Sequence, residues 1–234
     1  MQLKICGVTN PDEVSLLASL PVDLIGIWYG VPGGHADVSL AQCRRLAAAA
    51  SATGTLEPVL VTFLNDAADL REAALRSRVR WLQLHGYQPP GLVRAVKAAA
   101  PGTRVIKVLH VRGEHCAEAR LIRAYEKAGV DVFLLDAVDD DGRTGSTGRP
   151  LDAGVVRALA ARLTRPFLLA GGVSARNRRQ HTGSMRCPNW LGIDVDSNAR
   201  GPDGALRAGN VRSISRAWRA HADIDGHHVR HVPR

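Results

Sequence analysis

Short runs of β-branched and apolar residues alternate along the chain with longer stretches whose apolar positions recur at helical spacing. The runs cover 3–8, 22–29, 58–65, 80–86, 104–111, 130–136, 166–170 and 191–196. Between them lie Ala/Leu/Arg-rich segments that read as helices, among them 40–50, 66–77, 90–100, 114–128, 151–163 and 211–221. Asn10-Pro11 places an N-cap before a first-turn proline, and Asn210 reads as the cap of the last helix. Eight such alternations in 234 residues predict a single closed parallel (β/α)8 barrel, the TIM-barrel form of the α/β class. No GxGxxG opens a helix after the first strand, so the pattern of a dinucleotide fold is missing.

Two stretches break the rhythm. Residues 137–150 form a long Gly-rich loop after the sixth strand, and 174–190 are interrupted by Thr182-Gly183 and Pro188, which predicts a shortened or irregular helix 7. The barrel is expected over 1–222, with 223–234 a frayed His-rich tail.

Composition narrows the function classes. A hydrophobic fraction of 45% with 23% charged residues describes an ordinary globular chain. No apolar run reaches the ~18 residues that span a bilayer, which predicts no membrane partner. The opening Met-Gln-Leu-Lys-Ile-Cys has neither a basic leader nor a small-residue cleavage site, so no secretory peptide is expected. Cys6, Cys43, Cys116 and Cys187 are widely spaced and make no zinc pattern, which predicts no metal, no disulfide framework and a cytoplasmic setting. The net charge of +9 asks for a partner, yet the basic residues are scattered and aromatics amount to 4%. That argues against nucleic acid and leaves two readings: a small anionic substrate drawn to a basic barrel mouth, or arginines that only solvate helices.

In a barrel of this kind the chemistry sits at the C-terminal ends of the strands. Alternation puts Lys4 and Cys6 on one face of the first strand, and if Ile5 packs on helices both point to the barrel axis. A lysine beside a thiol favours the thiolate, which suits a general base. Asp136 closes the apolar sixth strand, where a carboxyl tends toward a raised pKa and suits a general acid. Each has a plainer reading, Cys6 as a small core residue and Asp136 as a loop cap. Gln83 and His85 alternate on the fourth strand and are expected to face the pocket, with a structural histidine as the other possibility. Lys107 on the fifth strand is either an inward charge or a snorkelling surface one. Gly171-Gly172 directly follows a strand, where backbone N–H groups can cradle a phosphate or the chain can simply turn.

In order, Lys4-Ile5-Cys6-Gly7-Val8-Thr9, Val61-Thr62-Phe63-Leu64-Asn65, Gln83-Leu84-His85-Gly86, Leu134-Leu135-Asp136-Ala137 with Gly145-Ser146-Thr147-Gly148, Leu169-Ala170-Gly171-Gly172-Val173 and Gly192-Ile193-Asp194-Val195 run through most of the chain. Together they resemble the phosphoribosylanthranilate isomerase family of the tryptophan pathway. The resemblance implies an Amadori rearrangement of an N-ribosyl aromatic amine to a 1-amino-1-deoxyketose, with Asp136 as acid and Cys6 as base. It implies no cofactor, a small anionic N-glycosyl amine as substrate, and a monomer or homodimer. Lys4, Gln83, His85, His35 and Lys107 would then serve substrate binding, and Gly171, Gly172, Asp196, Ser197 and Asn198 the phosphate or sugar.

Two loops depart from the family pattern. Ala36 falls where the family carries an arginine for the anthranilate carboxylate, leaving His35 as the neighbouring polar side chain. Asp196-Ser197-Asn198 replaces Ser-Ser-Gly, and a carboxylate at a phosphate cradle repels a phosphate but can accept from a sugar hydroxyl. Arg176, Arg178, Arg179 and Arg200 are near in sequence and can restore positive charge. These changes point first to a related isomerase with a changed substrate, and next to the orthodox tryptophan-pathway enzyme. Further classes are a non-catalytic binding barrel, which has no need of the Cys6/Asp136 pair, and a sugar isomerase with two aspartates, against which the first-strand cysteine speaks.

Overall fold

The computed structural model describes residues 1–138 and 151–220. The Gly-rich loop with Gly145-Ser146-Thr147-Gly148 and the expected tail at 223–234 lie outside the described residues.

Eight parallel strands form the barrel: β1 (Gln2–Ile5), β2 (Leu24–Trp28), β3 (Glu57–Thr62), β4 (Trp81–Leu84), β5 (Arg104–Arg112), β6 (Val132–Ala137), β7 (Phe167–Leu169) and β8 (Trp190–Val195). They pair in sequence order, and β8 pairs with β1 to close the ring. The helices are α1 (Pro11–Ala18), α2 (Leu40–Ala52), α3 (Ala67–Ser77), α4 (Pro90–Ala99), α5 (Ile122–Ala128), α6 (Ala153–Ala160), α7 (Thr182–Met185) and α8 (Ala208–Arg219). Among the described residues no helix is long and apolar enough to cross a membrane.

Strand alternation builds two cores. Leu3, Ile5, Ile25, Leu82, Leu84, Phe133 and Leu135 face the helices. Leu24, Val59, Val61, Trp81, Ile106, Val108, Val132, Leu134 and Leu168 fill the barrel interior, and Cys6 caps that interior cluster. Period two therefore decides which strand-end residues reach the mouth.

Local chemistry sets the helix starts. Asn10 Oδ1 accepts from the Glu13 amide at 3.0 Å ahead of Pro11, as the sequence predicts. Ser39 and Gln42 form a reciprocal capping box for α2, and Asp66 Oδ1 accepts from the Ala68 and Asp69 amides to start α3. Caps of this kind contribute about 1 kcal/mol each. Helix 7 is short, the four-residue α7 following a 3-10 turn at Arg178–His181.

Two expectations are corrected. The stretch read as a helix from 114 instead turns back at Gly113 into an antiparallel pair with His115–Cys116, and α5 begins only at Ile122. Glu118 is drawn inward there, accepting from the His110 amide at 3.0 Å and facing its Nδ1 at 2.6 Å, and that buried bond competes with a regular helix. Asn210 does not cap the last helix: α8 starts at Ala208, and the Asn210 amide donates to the Arg200 carbonyl at 3.0 Å.

Candidate active site

A cavity of about 680 Å³ opens at the C-terminal ends of the strands, lined by Cys6, Trp28, His35, His85, Asp136, Gly171, Gly172 and Asp194 through Asn198 among others. A larger hollow of about 900 Å³ lies at the other end, against Trp81, Arg104, Val132 and Trp190 where strands begin. Packing at that face serves stability rather than chemistry. Cys6, just past the end of β1, and Asp136, near the end of β6, both line this mouth.

Lys4 is fully buried beneath the mouth; its ammonium donates to Asp194 Oδ2 at 2.8 Å and to Cys6 Sγ at 3.3 Å. Burial works against the lysine's charge, but Asp194 and Cys6 more than offset it, and its pKa lies above the ordinary lysine value. The thiol does not follow the expectation drawn from Lys4 alone. Its pKa is pushed up to about 11: burial raises it most, Asp194 and Asp196 also raise it, and the opposing pull of Lys4 and the Trp28 hydrogen bond does not offset them. A thiol that is 6% exposed loses more from desolvation than one ammonium returns.

Gly26 makes this arrangement possible. A Cβ there would sit 2.6 Å from Cys6 Sγ and 3.0 Å from Lys4 Nζ. Gly26→Ala is therefore expected to displace the sulfur and lower kcat about 100-fold, the scale of an ångström-sized misplacement, with folding checked by circular dichroism. An unchanged kcat would show that the sulfur's position is not critical.

Across the cavity His85 Nε2 lies 3.4 Å from Asp136 Oδ2. The ring stacks on Phe63 at 5.0 Å between centroids, and its Nδ1 meets the Gln83 amide nitrogen at 2.9 Å. With that amide donating, Nδ1 is the acceptor, and the ring proton sits on Nε2 toward the carboxylate. Gln83 is thus buried below the mouth and orients His85 rather than lining the cavity.

Lys107 is not brought to the mouth. Its side chain lies on the helix-facing side of β5, donating to the Gly86 and Val108 carbonyls at 2.7 and 2.6 Å, beside Glu118 and the Tyr125 ring. It is neither of the two alternatives read from the sequence, and on β5 the inward position near Asp136 belongs to His110.

On the opposite rim Gly171 and Gly172 both adopt positive φ, +78° and +62°. A Cβ on Gly171 would stand 2.7 Å from Ala137 Cβ, so the chain passes close against the end of β6. Asn198 ties the eighth loop to this turn, donating to the Gly172 and Val173 carbonyls at 3.2 and 3.0 Å. Ser197 lines the same wall.

Asp196 is not a bare anion. Its Oδ1 accepts from Arg200 Nε at 2.8 Å, and its Oδ2 lies 3.6 Å from His35 Nε2. The Arg200 guanidinium also donates to Glu13, Gly204, Cys6 and Gly7. Ala36 is buried against Gly7 and offers no clamp, and no lysine or arginine is among the described residues lining the cavity. Sequence reasoning missed Trp28, whose indole donates to Cys6 Sγ at 3.1 Å, and the pairing of Lys4 with Asp194. Period two signalled both, since Trp28 shares a strand face with Gly26, and Asp194 one with Gly192.

A buried thiol and a carboxyl share the mouth of a (β/α)8 barrel, the end at which enzymes of this fold carry their chemistry. Residues 3–201 match the family described as N-(5'-phosphoribosyl)anthranilate (PRA) isomerase, and the chain belongs to that family. It is 31% identical over 220 residues to an N-(5'-phosphoribosyl)anthranilate isomerase of Afipia carboxidovorans, covering 93% of this chain and 89% of the relative. The phosphoribosyl anthranilate isomerase of Thermus thermophilus shares the fold with a TM-score of 0.75 at 21% identity, over 94% of this chain and 99% of that one. A phosphoribosyl anthranilate isomerase in complex with reduced 1-(o-carboxyphenylamino)-1-deoxyribulose 5-phosphate superposes with a TM-score of 0.70 at 22% identity, over 94% and 99%.

Proposed function

We propose that this chain catalyses the isomerisation of N-(5'-phosphoribosyl)anthranilate in tryptophan biosynthesis, as a cytoplasmic monomer or homodimer. The observation that carries the reading is the placement of Cys6 and Asp136 on one cavity within a family match that spans the barrel. Asp136, as the general acid, delivers a proton to the ribose ring oxygen; the C1–O bond breaks and an iminium forms at C1. The Cys6 thiolate then takes the C2 proton, and the C–H electron pair moves into C1=C2 to neutralise the iminium as an enolamine. Loss of the C2 hydroxyl proton and protonation at C1 give the 1-amino-1-deoxyketose. His85 holds Asp136 in place, and the Gly171-Gly172 turn offers backbone N–H groups to the phosphate.

The changed substrate suggested first by the sequence gives way to the orthodox one. The family relationship favours it, and Arg200 offsets the carboxylate of Asp196 on which the changed-substrate argument leaned. With Ala36 in place of an arginine, His35 is the nearby group left to meet the aromatic carboxylate.

The test is loss of anthranilate-type fluorescence when PRA is generated in situ. Turnover by the wild type, dependent on Cys6 and Asp136, is the expected result. A folded wild type that does not turn over PRA sinks the proposal.

A further inference from the structure

The sulfur of Cys6 is surrounded by donors. The Lys4 ammonium approaches it at 3.3 Å from within the same strand, and the Trp28 indole N–H at 3.1 Å from β2. Among the described residues no group accepts a proton from Cys6. Two N–H groups turned on one sulfur, with nothing to receive an S–H, make a site complementary to a thiolate rather than to a thiol.

We propose that Trp28 is a positioning residue for Cys6, its indole N–H completing with Lys4 a two-donor cradle that eases formation of the thiolate. The inference rests on Cys6 being the base of the reaction proposed above. It concerns a residue whose usual reading is packing: a tryptophan at a strand end is a large apolar wall, and Trp28 does pack on the interior cluster.

The geometry gives it a second task. Leu24, Gly26 and Trp28 alternate onto one face of β2, so the missing side chain at Gly26 leaves the space the sulfur fills, and the indole lies one residue pair farther up. The ring is held from outside. The Val38 amide donates to the Trp28 carbonyl at 3.0 Å, and Trp28 bridges to Asp37. His35 meets the indole edge-on at 4.8 Å, and a Cβ on Gly34 would come within 3.1 Å of its Cε3. The second loop therefore folds over the indole and fixes its N–H on the sulfur.

The charges that face Cys6 oppose one another. Lys4 from β1 favours the anion, while Asp194 at the end of β8 and Asp196 in the loop after it disfavour it. With burial also against the thiolate, a neutral donor adds stabilisation of the anion without a further charge that would repel or misplace the substrate.

The test is carbamidomethylation of Cys6 by iodoacetamide at pH 8, followed by mass spectrometry, with Cys43, Cys116 and Cys187 as internal references. Trp28→Phe keeps a ring but removes the donor and widens access to the sulfur. Each unit rise in thiol pKa cuts the thiolate tenfold but raises its intrinsic nucleophilicity about threefold, so the net rate falls about threefold per unit. The expected result is alkylation of Cys6 about three- to tenfold slower in Trp28→Phe, despite the wider access, with the other cysteines unchanged. A wall without a donor role predicts the opposite sign, so alkylation that is unchanged or faster overturns the proposal. Should Trp28→Phe not fold, proton exchange of the Trp28 indole N–H by NMR gives the same answer from the other side. Its exchange is expected to speed up in Cys6→Ala, and an unchanged exchange rate overturns the proposal. Neither measurement uses a substrate, so a failure to turn over PRA and a failure of the cradle are read separately.

Discussion

Cys6→Ser and Asp136→Asn are each expected to lower kcat by about 10²–10⁴-fold with KM near the wild-type value, the range over which a positioned acid or base contributes. Serine keeps a small polar atom where Lys4 and Trp28 both donate, so the site stays filled, but an alcohol is a far weaker base-forming group than a thiol. Asparagine keeps the shape of Asp136 beside His85 and has no carboxyl proton to give. Because the two act on one reaction, the double variant should be little worse than the poorer single one. Steady-state kinetics on in situ PRA measures all three. A Cys6→Ser variant with kcat within about tenfold of wild type would be evidence against the sulfur as base, since that loss is below the range for a positioned base.

The second large effect is on stability. Lys4→Met leaves Asp194 buried without its cation, and breaking one side of a buried pair costs about 3–5 kcal/mol. For a domain of this size roughly 2–4 °C accompanies each kcal/mol, so a fall in Tm of roughly 10 °C is expected by calorimetry. Pairing Lys4→Met with Asp194→Leu removes both charges and should recover most of the loss. Methionine has no ammonium and so also strips a donor from Cys6, and the double variant should regain stability without regaining turnover. A single Lys4→Met with wild-type Tm would mean that the pair contributes nothing to the fold.

Much of this was legible in the chain. Apolar runs of strand length separated by helical segments, eight times over, point to a closed parallel barrel, and the cap at Asn10 follows from local hydrogen bonding alone. The same alternation puts Lys4 and Cys6 toward the axis, because side-chain direction in a strand has a period of two, and Asp136 stands out as the residue that closes the apolar sixth strand. What failed was the reading of positions whose environment is made by distant residues. From the sequence Lys107 reads as inward or exposed, but it sits on the helix side, where two carbonyls receive its ammonium and Glu118 lies 3.7 Å away. The helix assigned from 114 yielded to a buried bond between Glu118 and His110 that no local propensity encodes.

The electrostatics of the site were decided by the tertiary structure. Seen along one strand, Lys4 lowers the pKa of Cys6; seen in three dimensions, burial and two aspartates brought from residues 194 and 196 outweigh it, and the pKa rises to about 11. Likewise Asp196 reads as a repulsive carboxylate until Arg200 is found bonded to it. Backbone patterning is a local property and can be read from the sequence. The charge state of a buried group depends on every neighbour that folding brings within a few ångströms, and those neighbours are close only in space.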